Sequence, residues 1–298
     1  EHPGAAMSKK RKSVGDEMQV NLLGVRLRIG GPAREIAHLR NSLFSRCNEP
    51  PGPKPNASIQ FEIDCGTYRA WFVDKSSEPI YESDDRSDFF WWLDNELFRK
   101  SLKKSPHLIQ VHGGAVEKGG KAILFLGDSY AGKSTMTLHL LRQGYRFLTD
   151  EVILIDPRTL RVAPFHRNLL VRQGAIDGNP ILKKYCRGNW HYEDYHGEMK
   201  WLIDPAKLGP AAKPRKSVIK RIYLLRRHRG WRPKLESATE REVVEQMIKM
   251  AFNKHRFGEE VVDALVQIAK ASENFKIRSP HGGEAWKLLK EHMDISKD

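Results

Sequence analysis

The stretch Ala122-Ile-Leu-Phe-Leu-Gly-Asp-Ser-Tyr-Ala-Gly-Lys-Ser-Thr135 joins an apolar run, a Gly-rich loop and the opening of a helix. It meets the pattern G-x-x-x-x-G-K-[ST] at Gly127, Gly132, Lys133 and Ser134, after a strand and before a helix, as the pattern requires. Glycines let the backbone curl so that successive N–H groups point at phosphate oxygens, and the helix N-terminus adds partial positive charge. The expected phosphate contacts are therefore Gly127, Asp128, Ser129, Tyr130, Ala131, Gly132, Lys133, Ser134 and Thr135. Lys133 is placed to reach the outer phosphates of a nucleotide, and the Ser134 hydroxyl is a hard oxygen ligand suited to Mg²⁺. A chance match in a chain of this length has a probability on the order of 1%.

Outward from the loop, a helix is expected from Lys133 to about Arg142, stopped by Gly144. Tyr145 to Ile155 reads as a strand interrupted by Asp150-Glu151 and returning beside the strand that feeds the loop. An isolated acidic pair is commonly a solvated turn, but here Phe147, Leu148, Val152, Ile153 and Leu154 flank it. A carboxylate in that position can bind a metal or accept a hydroxyl proton. Adjacent acids on a strand point to opposite faces unless a break in geometry turns both inward. His112, at the end of the apolar run Leu108 to Val111, precedes Gly113-Gly114. Arg161, Arg167 and Arg172 follow the acidic strand, and a guanidinium there suits a transferring phosphoryl group or an acceptor carboxylate. Arg167 and Arg172 rank above Arg161.

These pieces together resemble the catalytic domain of HPr kinase/phosphorylase and its wider HPr-kinase-like group. The likeness is continuous from His112-Gly113 through Gly127-Asp128-Ser129 to Gly144-Tyr145-Arg146 and the acidic pair, about Leu108 to Asp156, with looser likeness to roughly His292. It implies an α/β fold of the P-loop-containing phosphoenolpyruvate-carboxykinase/HPr-kinase-like type. By the same resemblance, ATP and Mg²⁺ are the cofactors, Ser134 and Asp150 hold the metal, and Glu151 stands where the family places its base. His112 becomes a partner of phosphate or acid. A homo-oligomer, a hexamer or smaller, is also implied. The chain departs from the family in carrying Glu151 for the second aspartate, Tyr130-Ala131 within the loop, and no Arg-Pro-Gly-Arg-like segment near its C-terminus. Neither the reverse phosphorylase activity nor HPr as acceptor is therefore carried over.

Ahead of this region, Gln19 to Ile29 alternates as a strand and Arg34 to Cys47 carries helix-spaced Ile36, Leu39, Leu43 and Phe44. Ser58 to Ile63 and Thr67 to Val73 read as strands joined by Asp64-Cys65-Gly66. A helix capped at Ser87 should carry Phe89, Trp92, Leu93 and Leu97, with Trp91-Trp92 in the core. The expected organisation is a leader and basic tail over 1–17, a small α+β N-terminal lobe over 18–105, and a catalytic domain over 106–298. Glu1 to Ala6 read as an artificial leader ahead of a start at Met7. Beyond the acidic strand, Gly174 to Ser217 shows little periodicity and reads as irregular or mobile loops. Ile219 to Arg226 and Phe275 to Arg278 read as strands, and Glu240 to Phe252, Glu259 to Ala271 and Glu284 to His292 as helices.

The 298 residues include 51 Lys and Arg against 37 Asp and Glu, a net charge of +14. Lys9, Lys10, Arg11 and Lys12 form one basic cluster, and Arg226, Arg227, His228, Arg229 and Arg232 another. Charge alone does not select a partner, and no zinc-finger, RRM or helix-turn-helix pattern supports nucleic acid. No run of about 18 apolar residues is present, so no membrane span is expected. Cys47, Cys65 and Cys186 form no CxxC pair, and a cytoplasmic location is the default expectation. Trp190-His-Tyr-Glu-Asp-Tyr-His196 suits a substrate-covering loop better than a metal site, since no HExxH spacing occurs.

The leading expectation is a Mg-ATP kinase acting on a serine hydroxyl of a peptide or protein. Family habit adds a peptide natural-product precursor as a candidate acceptor, by analogy with kinases of lasso-peptide precursors. A small-molecule kinase or carboxykinase-like enzyme, and a nucleotide-gated binding module without catalysis, use the same site.

Overall fold

The computed structural model describes residues 15–50, 54–73, 78–165, 167–177, 180–186, 191–193, 197–210, 216–230 and 232–294. Glu1 to Ala6, the tail Lys9 to Lys12, Trp190 and the run Asp194 to His196 lie outside them.

The chain opens with β1 (Asp16–Leu22) and β2 (Val25–Gly31), an antiparallel hairpin where a single strand was expected over Gln19 to Ile29. Leu23 and Gly24 turn the chain at φ 58° and 78°, the left-handed pair of a two-residue hairpin loop. The apolar alternation runs through the turn, which hides it in the sequence. After α1 (Ala33–Asn41), β3 (Asn48–Glu49), β4 (Ala57–Asp64), β5 (Thr67–Phe72) and β6 (Tyr81–Ser83) complete a six-stranded sheet in the order β3-β1-β2-β4-β5-β6.

Helix α2 (Arg86–Lys104) covers this sheet. Its N-cap is Asp85 rather than Ser87: the Asp85 carboxylate accepts from the N–H groups of Ser87 and Asp88 at 2.6 and 3.0 Å. Phe89, Phe90, Leu93 and Leu97 of α2 are fully buried with Phe61 and Tyr68 of the sheet. Trp91 and Trp92 are only half-buried, with Trp92 stacked on Tyr81 at the edge of this core. Val152, Leu154, Phe165, Tyr192 and Leu202 from later in the chain join the same buried cluster. Thus α2 has one side on its own sheet and another on the C-terminal region.

The second sheet begins with β7 (Ile109–His112), β8 (Gly114–Lys118) and β9 (Lys121–Leu126), the last leading through the Gly-rich loop to α3 (Lys133–Arg142). It continues with β10 (Arg146–Thr149), β11 (Val152–Asp156) and β12 (Arg161–Ala163). Next come β13 (Leu169–Arg172), α4 (Gln173–Asp177), α5 (Pro180–Cys186), β14 (His191–Glu193) and β15 (Met199–Ile203). Then follow β16 (Ser217–Arg227), β17 (Lys234–Ser237), α6 (Glu240–Lys249), α7 (Glu259–Ala271), β18 (Glu273–Ser279) and α8 (Gly282–His292).

The main path runs β10-β8-β9-β16-β12-β11-β7, with β18 and β17 branching from β16. Strands β9, β16 and β18 are mutually parallel, and the remaining pairings are antiparallel. Alternation in the central strands dictates two covered faces. Ile123, Phe125, Tyr223 and Leu225 bury one face beneath α3 and α8, while Leu124, Ile222 and Leu224 bury the other beneath α6 and α7. Because β9 is buried on both sides, it reads in sequence as a continuous apolar run.

Two expectations are corrected here. The acidic strand does not return beside β9: β10 pairs with β8, while β11 lies between β12 and β7. The described residues of the 174–217 region are not a set of irregular loops, since α4, α5, β14 and β15 lie in it, the two strands pairing with each other and β15 with β13 in an antiparallel sheet. Those strands are short and rich in Trp, Tyr, His and Lys, so no period develops. The chain is a mixed α/β protein, and none of its described helices is long and apolar enough to cross a membrane.

Candidate functional site

The loop between β9 and α3 is shaped by two left-handed residues, Tyr130 at φ 64° and Gly132 at φ 103°. At its root, a Cβ on Gly127 would lie 2.5 Å from the Leu225 carbonyl oxygen, so the backbone passes close against β16. Among the described residues no side chain caps α3, whose first N–H groups suit an outside acceptor. Lys133 is buried and its Nζ donates to the carbonyls of Gly127 and Asp128 at 2.8 and 3.0 Å. Burial lowers its pKa, against the opposing pull of Asp150 and Asp128.

Asp150 and Glu151 occupy the turn between β10 and β11, so neither is held to the alternation of a strand. Both line the same cavity. Glu151 is fixed through its backbone: its carbonyl accepts from His112 Nδ1 at 2.9 Å and from the N–H of Gly113 at 3.2 Å. A carbonyl only accepts, so Nδ1 of His112 carries the proton. Burial, followed by the charge of Lys133, holds the His112 pKa below its ordinary value. A Cβ on Gly114 would stand 2.8 Å from Thr137 Oγ1 and 3.5 Å from Asp150 Oδ1, which accounts for a glycine beside the acid.

Burial pushes the Asp150 carboxyl up to about 7, opposed chiefly by the nearby Ser134 hydroxyl and the charge of Lys133. The Ser134 and Thr137 hydroxyls both lie close enough to favour the Asp150 carboxylate, yet among the described residues Asp150 Oδ1 and Thr137 Oγ1 are buried without a hydrogen-bond partner. An orphaned carboxylate oxygen beside a hydroxyl is a hard-oxygen pair that fits Mg²⁺. A bound cation would also favour the ionised acid.

The arginines follow the acidic turn, Arg161 on β12, Arg172 on β13 and Arg167 in the segment between them. Arg167 Nη1 donates to Glu151 Oε2 at 2.7 Å, while its Nη2 donates to Asp94 Oδ2 from α2. Burial works against the Arg167 charge, but Asp94 and Glu151 outweigh it and raise its pKa. Arg172 pairs with Glu198 at 2.8 Å. Arg161 is exposed on β12 and does not line the cavity.

The cavity is about 1000 Å³ and brings together His112, Lys133, Ser134, Asp150, Glu151, Arg167 and Arg172. Ser129, Tyr130, Gly132 and Thr135 also line it, whereas Gly127, Asp128 and Ala131 do not. Asp128 instead pairs with Lys249 at 2.9 Å, and Ala131 is buried. Arg142, Lys200, Glu198, Arg227, His281 and Trp286 add walls that sequence reading did not assign. Arg227 alone had a signal, in the basic run that ends β16. Among the described residues no three His, Cys, Asp or Glu side chains cluster for a metal. His191 packs on Trp201, with ring centroids 4.5 Å apart.

No family model matches the chain. An HPr kinase/phosphorylase from Lachnoclostridium phytofermentans (strain ATCC 700394 / DSM 18823 / ISDg) is 33% identical over 82 residues. That match covers 26% of this chain and 24% of the relative, so the chain spans about a quarter of that protein's length. The likeness supports a distant HPr-kinase-like relationship and suggests a kinase.

Proposed function

We propose that this chain is a Mg-ATP-dependent kinase that transfers the γ-phosphoryl group to a serine hydroxyl of a peptide or protein. The catalytic unit is residues 106–298, with the fold of the P-loop-containing phosphoenolpyruvate-carboxykinase and HPr-kinase group, preceded by an α+β unit over 18–105. The observation that carries this reading is the convergence of Lys133, Ser134, Asp150 and Glu151 on one cavity of about 1000 Å³.

In this reading, the loop Gly127 to Thr135 cradles the phosphates with its N–H groups and the uncapped start of α3. Lys133 exchanges the Gly127 and Asp128 carbonyls for the outer phosphate oxygens. Ser134 and Asp150 hold Mg²⁺, which when bound neutralises phosphate charge. Glu151 receives the proton of the attacking hydroxyl, and His112 fixes the Glu151 backbone. Arg172 neutralises charge on the transferring group, and Arg167 sets the Glu151 carboxylate. Positioning and charge neutralisation suffice for such a transfer. A peptide natural-product precursor belongs to the acceptor class, a homo-oligomer follows the resemblance, and a cytoplasmic location is the default that the cysteine usage suggests.

The test is to incubate the chain with γ-labelled ATP and a lysate split into small molecules and macromolecules, and to repeat with Lys133→Ala, Asp150→Asn and Glu151→Gln. Label in the macromolecular fraction that vanishes in the variants is expected. Label confined to small molecules would redirect the reading to a metabolite kinase or carboxykinase-like enzyme. Nucleotide binding without transfer to either fraction would leave only a binding module.

A further inference from the structure

Asp94 lies in the middle of α2, in the N-terminal unit, and is 2% exposed. A carboxylate so deep in an apolar helix face is costly unless it is paired. Its partner is Arg167, whose other terminal nitrogen reaches Glu151 at 2.7 Å. Two further contacts hold the arrangement. The Tyr192 hydroxyl donates to Asp94 Oδ2 at 3.4 Å, and the Arg167 guanidinium lies 4.8 Å from the ring centroid of Phe98, one turn beyond Asp94 on α2. Arg167 is thus gripped on one edge and one face by α2, leaving one nitrogen for Glu151.

The consequence is chemical as well as mechanical. A guanidinium shared between two carboxylates gives each only part of its charge, whereas one freed from Asp94 could close a two-pronged fork on Glu151 or turn toward the phosphates. We infer that Asp94 is a positioning residue of the catalytic site: through Arg167 it sets the Glu151 carboxylate, so the N-terminal unit completes a site whose other members follow it in the chain. This rests on the kinase reading for its rate consequence, but not for its geometry.

Asp94→Asn keeps the volume and the Tyr192 contact while removing the charge, so it separates position from packing. The expected result in the full chain is a fall of about tenfold or more in kcat for phosphoryl transfer, with the KM for ATP little changed. In an Arg167→Gln background the same substitution should add no further loss, since Asp94 acts through Arg167. A kcat within twofold of the parent chain, or equal losses with and without Arg167, would overturn the inference.

A second readout needs no turnover. The side-chain ¹⁵N signals of Arg167 should be resolved as separate terminal nitrogens in the parent chain and averaged in Asp94→Asn. If they are unchanged, the inference fails even where transfer is seen. If the parent chain transfers phosphate to nothing, the kinase reading fails while the Arg167 signals still decide this one. Should Asp94→Asn not fold, Tyr192→Phe is expected to mobilise the same signals, and their persistence would likewise overturn it.

Discussion

The guanidinium carbon of Arg172 stands 3.9 Å from the centroid of the Tyr130 ring, and its Nη1 donates to Glu198 Oε2 at 2.8 Å. The Tyr130 hydroxyl donates to the same carboxylate oxygen at 3.3 Å, while Arg227 holds the Tyr130 carbonyl at 3.1 Å. The Gly-rich loop is therefore clasped to β13 and the segment before β15. Tyr130 is 59% exposed and sits at φ 64°, a conformation that costs a non-glycine residue on the order of 1 kcal/mol, which the clasp offsets.

From this clasp we expect Arg172→Gln to lower kcat for phosphoryl transfer by about a hundredfold to a thousandfold, the range seen when one charge-stabilising donor is lost. Tyr130→Phe keeps the ring beneath the guanidinium and should remain within about threefold. Steady-state kinetics with γ-labelled ATP read both. Equal losses would mean that the tyrosine hydroxyl, rather than the arginine charge, carries the effect.

Lys133 offers a test of the loop itself. Its Nζ is satisfied by two carbonyls of its own loop, so the loop itself shelters the charge that nucleotide phosphates would take over. Lys133→Met keeps most of the stem and removes the charge. ATP affinity, measured by calorimetry, is expected to weaken by about a hundredfold, which is roughly 2.7 kcal/mol. An unchanged affinity would sink the phosphate-cradle reading of this loop.

The strand, loop and helix around Gly127 to Thr135 were legible because each follows from a handful of adjacent residues: the β9 apolar run, the glycines and the helical stripe after Lys133. The inward turn of both acids was legible only as an alternative, since whether Asp150-Glu151 sits on a strand or in a turn depends on β8 and β7 pairing with different segments on either side. Asp94 was not legible at all. It lies on a helix whose apolar spacing reads as plain core, and its meaning comes from Arg167, 73 positions away. Glu198 was hidden in the same way, because β13 and β15 meet only in the fold.

His139 supplies a pH signature. It lines the cavity with its ring stacked on Trp286 at 4.5 Å, and burial, reinforced by Arg142 and Lys290, lowers its pKa to about 4 from an ordinary 6.5. Between those two values the unfolded chain binds a proton that the folded chain refuses, so stability rises with pH there and falls on acidification. Urea midpoints measured from pH 7 down to 4.5 should decline, and His139→Phe, which keeps the stack without a titrating nitrogen, should flatten part of that decline. An identical slope in the variant would show that other groups govern it.

The last test concerns why the loop begins with glycine. At Gly127 a methyl group would stand 2.5 Å from the Leu225 carbonyl oxygen and 3.0 Å from the Ala131 Cβ. The first of these is backbone of the central strand β16 and cannot rotate away, so the loop root must lift. We expect Gly127→Ala to cost about 1–3 kcal/mol, the usual range for overpacking a tight site, and to weaken ATP binding because the displaced root carries the N–H groups that follow. Gly174, inside α4, has nothing within 4 Å of the same added atom. Gly174→Ala should therefore leave urea stability unchanged or raise it by up to about 1 kcal/mol, as alanine favours a helix. If Gly127→Ala were as stable as Gly174→Ala and bound ATP as the parent does, close packing against β16 would not be what fixes the loop.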